Sequence, residues 1–159
     1  MNTLNISSSN TGSKHYDVSD DEKLLTVLDA GSESDSEFVF DNIRYRLTRE
    51  PGWGDFVLHG PHGEICRASK PSAMFRSFEM DYAGMQWTLA AHSSLGDSFD
   101  LRSGSAVAGR LDAKGFFSRR GEATFPGSLP LPVQCFLIWL ALLMWARSDD
   151  DPGVPIIVG

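Results

Sequence analysis

His59, His62, Glu64 and Cys66 are the residues best placed to do chemistry, since they fall close together and all are types that hold metals. Their spacing argues otherwise. His59-x-x-His62 straddles Gly60-Pro61, a strong turn signal, and successive strand residues point to opposite faces. A structural zinc site offers a clearer pattern of four ligands. The four therefore read as hairpin residues, and no metal is expected. Ser, His and Asp also occur, but no Gly-x-Ser-x-Gly elbow presents a nucleophile, and Gly104-Ser105 reads as a turn. The glycines form neither a phosphate-cradling loop ahead of Lys-Ser/Thr nor a strand-anchored Gly-x-Gly-x-x-Gly. No catalytic residue and no cofactor are expected, so the chain reads as non-enzymatic.

The basic cluster is the more promising feature. Arg110, Lys114, Arg119 and Arg120 surround Phe116-Phe117, just before a very apolar stretch. Basic residues at an anionic lipid surface contribute about 1 kcal/mol each. Phe116, Phe117, Arg119, Arg120, Arg110 and Lys114 are thus the candidate contact for anionic lipid or a protein partner; the plainer alternative is a solvated hairpin rim. Net charge is -7, which excludes a general nucleic-acid binder, because phosphate contacts need clustered cations. Residues 1–37 hold two lysines against eight acidic residues, so the remainder is nearly neutral.

The elements that must position this rim read as follows. Residues 1–18 are rich in Ser, Asn and Thr and are expected to be disordered. Ser19 with Glu22 forms a capping box, Leu24, Leu25 and Leu28 share a helical face, and Gly31 can close it. The spacing predicts a short helix near 20–30 in an acidic tail, 1–36, with Ser32–Ser36 as linker. From residue 37 the pattern changes to short alternating strands with turn signals about every ten residues. Ile43, Tyr45 and Leu47 oppose Arg44, Arg46 and Thr48. Phe56–Leu58 and Ile65–Ala68 flank a turn, and further strands are expected at Met74–Met80, Gln86–Ala91, Phe99–Leu101, Val107–Leu111 and Ala123–Phe125. The fold class over 37–159 is mainly β, an all-β sandwich or barrel of short strands.

Val133 to Ala146 carries one polar residue, Gln134, and predicts a helix over 133–147 behind Pro130 and Pro132. A helix apolar all round must be buried on every side. Three environments satisfy that: its own domain, an oligomer core, or a bilayer crossed by 131–146 as a short anchor. That segment rises about 24 Å against a hydrocarbon core of about 30 Å, and the basic side would keep the strands cytoplasmic. Cys66 and Cys135 read as free buried thiols, as suits the cytoplasm. The N-terminus lacks a secretory signal pattern. A cytoplasmic place, with the membrane surface as an option, is the expectation.

Short strands followed by one apolar helix resemble the tubby C-terminal-like superfamily, which includes LURP-one-related and phospholipid-scramblase-like domains. The resemblance rests on Tyr45-Arg46-Leu47, Phe56-Val57-Leu58-His59-Gly60 with Gly63-Glu64-Ile65, Ala108-Gly109-Arg110-Leu111 and the proline-led helix. It covers roughly residues 38–147. It implies a mainly β fold, a closed antiparallel barrel of about 8–12 short strands over 37–159, with Val133–Ala146 threaded through it. The chain departs from the family in three ways: eight or nine legible strands against about twelve, no acidic calcium-loop segment before the helix, and no Lys-Arg pair matching the phosphoinositide pocket.

Overall fold

A computed structural model describes residues 2–8, 14–32, 34–52, 54–70, 77–91, 98–114 and 120–150. The strands are β1 (Asn2–Ser8), β2 (His15–Asp20), β3 (Lys23–Asp29), β4 (Asp35–Phe40), β5 (Ile43–Arg49) and β6 (Phe56–Gly60). They continue with β7 (Gly63–Ser69), β8 (Ser77–Tyr82), β9 (Met85–Ala91), β10 (Phe99–Ser103), β11 (Ala106–Lys114) and β12 (Arg120–Phe125), and helix α1 (Leu131–Asp150) follows. All twelve strands form one antiparallel sheet, ordered β3-β2-β1-β12-β11-β10-β9-β8-β7-β6-β5-β4, and it curls into a nearly closed barrel.

Two expectations at the N-terminus are corrected. The segment given to a short helix is β3, and residues within the expected disordered stretch form β1 and β2. These three strands bring the described sheet to twelve. The misreading has a physical cause. A β-bulge shifts the β2–β3 register between Val18 and Ser19, so that Leu25 is the extra residue. Bulges break strict alternation, and Leu24-Leu25-Leu28 thereby imitates helical spacing. In fact Leu28 is buried, Leu25 half-buried and Leu24 exposed. Asp35 and Ser36, expected in a linker, open β4.

The sheet repeats itself every four strands. The burial pattern along β3, along β7 and along Ala106–Asp112 of β11 is the same. Each follows a tight turn, and each carries one bulge at the same place, with Leu25, Ile65 or Ala108 as the extra residue. The pairs β4–β5, β8–β9 and β12–β1 share register too: Phe38↔Tyr45, Met80↔Trp87 and Ala123↔Leu4. The unit is thus four strands, present three times, beginning at β4, β8 and β12. The third copy is discontinuous, with β12 before the helix and β1–β3 at the chain's start. In the other two copies the turn joining the first two strands is Asp41-Asn42 or Ala83-Gly84, all four with positive φ. Such turns match the twist of tight hairpins.

The helix fills the barrel. Val133 and the run from Cys135 to Met144 are at most 4% exposed on every face. The enclosed position therefore holds, and Val133–Met144 is shielded where a bilayer anchor would meet lipid. No helix among the described residues is long and apolar enough to cross a membrane. Pro130 O accepts the first helical bonds, from Val133 N and Gln134 N at 3.0 Å each. Pro132 thus lies in the first turn, where its missing N–H costs nothing. Trp139 packs edge-on against Phe56 at 5.8 Å and lies parallel to Phe136 at 6.3 Å.

Candidate functional site

Short turns join β2–β3, β4–β5, β6–β7, β8–β9 and β10–β11 at one end of the barrel. The longer strand-to-strand connections leave from the other end. Because α1 starts after β12 at the tight-turn end and Trp139 reaches the last residue of β3, the helix points toward the loop end. Lys114 ends β11 and Arg120 begins β12, so both belong to that loop end.

The ladder brings Lys114 and Arg120 directly opposite one another. Arg120 also faces Ser7 of β1 and is exposed. Arg110 is differently placed. Its Nε lies 3.3 Å from Asp100 Oδ1 and 3.7 Å from Asp112 Oδ1. The Asp100 side chain is buried, with Arg102 Nη2 at 3.8 Å on its other oxygen. Arg110 therefore neutralises a buried carboxylate and belongs to the wall. Phe116, Phe117 and Arg119 lie outside the described residues.

A second charged surface was only half legible. On β5, Arg46 grips Asp35 with two hydrogen bonds, Nε at 3.0 Å and Nη2 at 3.2 Å. These bonds hold the Asp35 carboxyl below its usual range. Arg44 reaches Glu37 at 3.8 Å. Arg44, Arg46, Ile43, Tyr45 and His59 line an open groove of about 460 Å³. The outward Arg44-Arg46-Thr48 row was visible in the sequence; its acidic partners were not, because Asp35 was assigned to a linker.

His59, His62, Glu64 and Cys66 diverge. His59 Nε2 is 2.9 Å from Thr48 Oγ1, and Glu64 accepts two bonds from Arg67, at 2.7 and 2.9 Å. Arg67 also meets Glu50 at 2.8 Å and Asp55 at 3.2 Å. Glu64 is accordingly shifted to lower pKa, first by its bond to Arg67. Cys66 faces the core, where burial pushes its thiol up to about 12, as burial does for Cys135. Neither can ionise to a nucleophile near neutral pH. Among the described residues no group of three acidic, His or Cys side chains is placed to hold a metal ion.

No protein-family model, no curated protein and no solved structure matches this chain.

Proposed function

We propose that this chain is a non-enzymatic binding module, built in the manner of the tubby C-terminal-like superfamily, that meets an anionic lipid surface through its loop-end rim. The observation carrying the reading is the β11–β12 register, which sets Lys114 opposite Arg120 in the ladder. Phe116, Phe117 and Arg119 in the connecting segment add apolar and cationic character by sequence. The barrel interior is taken by its own helix, which favours a ligand on the outer surface. A cytoplasmic protein at the membrane face would use the rim in this way.

The test is flotation with phosphatidylserine vesicles against neutral ones. The chain is expected to float with the anionic vesicles only. Lys114→Ala/Arg119→Ala/Arg120→Ala should lower partitioning on the order of a hundredfold, at about 1 kcal/mol per cation. Equal recovery of both proteins removes the lipid reading, and an acidic protein partner is then the rim's remaining ligand class.

A further inference from the structure

The open groove beside the β4–β5 turn has no part in the loop-end rim. It holds about 460 Å³ at the tight-turn end, walled by Ile43, Arg44 and Tyr45 of β5 and by His59, Gly60 and Pro61. A space of that size suits a small molecule. Tyr45 is 8% exposed and stacked on Phe38, so its ring is fixed. Gly60 leaves room beside it. A Cβ there would stand 3.7 Å from Tyr45 Cε1 and would meet the end of the Ile65 side chain at 2.8 Å. Ile43 adds an exposed apolar side chain. Arg46 is committed to Asp35 by two hydrogen bonds, and His59 Nε2 is 2.9 Å from Thr48 Oγ1. Arg44 is held more loosely. Its Nε stops 3.8 Å from Glu37 Oε2, beyond hydrogen-bond distance, and its side chain is 73% exposed. An exposed pair of that kind contributes little and yields to a better-placed anion.

The repeat separates what the barrel needs from what this groove adds. By register, Glu37 corresponds to Glu79 and Glu122, one acid in each unit. Arg44 and Arg46 correspond to Gln86 and Thr88 in the second unit and to Thr3 and Asn5 in the third. His59 and Gly60 correspond to Arg102 and Ser103, and to Ser19 and Asp20. The same strands therefore close without Arg44, Arg46 or Gly60. On a chain of net charge -7, this wall carries two cations against one carboxylate. We infer that the groove binds a small organic carboxylate with a flat apolar body. The carboxylate sits on Arg44, and the body lies against Tyr45, Ile43 and Pro61 in the space beside Gly60. A guanidinium matches a carboxylate with two parallel hydrogen bonds, and an apolar body takes the rest of the wall out of water. The inference does not depend on lipid binding at the rim.

Phenylacetate is the probe, and phenylacetamide, its neutral isostere, is the control. Backbone amide shifts of the full chain are followed by NMR during titration with each. Saturable shifts at Ile43, Arg44, Tyr45 and Gly60 are expected with phenylacetate, with an affinity about tenfold above that for the amide. Arg44→Gln/Gly60→Ser installs the second unit's residues and should lower that affinity about tenfold at an unchanged unfolding midpoint. Should the double variant lose its fold, Arg44→Gln alone decides, since that side chain is exposed. No saturable shift, equal affinity for the two probes, shifts centred on Lys114 and Arg120, or full affinity in Arg44→Gln overturns the inference.

Discussion

Single side chains here decide what can titrate, react and pack. Both cysteines are held as neutral thiols by desolvation, at about 12. A thiol whose pKa is raised by folding stabilises the native state below its unfolded pKa of about 8.5. That contribution fades as pH climbs from there through about 12. Midpoints of denaturant unfolding should therefore fall over that alkaline range, and replacing both cysteines by Ala should flatten the fall; an unaltered slope would argue that the thiols are not buried. At pH 8 a thiol reagent should label neither cysteine in the native chain and both in denaturant. Gly109 is a different kind of residue. A Cβ there would sit 2.6 Å from Thr124 O and 3.0 Å from the Phe125 ring, so Gly109→Ala should cost about 1–3 kcal/mol in chemical denaturation. The sequence shows that Gly109 exists, but its reason is a backbone approach across two strands, which no local pattern carries.

Among the elements, β3 and β4 are the pair that matters most, because side-chain bonds across their seam, Thr26 Oγ1 to Val39 O at 2.7 Å and Ser36 Oγ to Asp29 O at 3.1 Å, do there what a ladder does elsewhere. Thr26→Val keeps the shape and removes the donor to Val39 O. It should cost about 1 kcal/mol and speed amide exchange in β3 and β4 more than in β8 and β9; a uniform change would mean the seam is not the weak edge. Trp139→Phe removes the helix-to-seam bond and should act at the same place with a similar cost. Legibility also divides by element. Strands β5 to β7 were readable because Ile43-Tyr45-Leu47 alternate cleanly and Gly60–Gly63 breaks the run. The helix was readable because Val133–Met144 has no face for water. Strand β3 was not, because the Leu25 bulge gives three leucines a helical spacing. Strand β1 was missed because Leu4 and Ile6 are the buried residues among Thr3–Ser8, too few apolar residues to stand out from a polar tail. Of the candidate rim, sequence proximity grouped Arg110 with Lys114 and Arg120, whereas register alone separates the cation that neutralises Asp100 from the two that face each other.

Taken whole, the molecule is three four-strand units wrapped on one helix, and neither part has another way to bury its apolar face. Full burial of a large apolar side chain contributes roughly 1.5–3 kcal/mol, and α1 buries Phe136, Leu137, Ile138, Trp139, Leu140, Leu142 and Leu143 together. Barrel and helix should accordingly unfold as one cooperative unit, and Leu140→Asp, which puts an unpaired charge at that centre, should abolish the folded state. The enclosed helix is tested most directly by native-state hydrogen exchange on the unmodified chain in detergent-free buffer. Amides from Cys135 to Leu143 should exchange only through global unfolding, as slowly as the slowest strand amides. Exchange of that helix at a faster, independent rate, or protection that appears only when detergent is added, would contradict a helix shielded by its own strands.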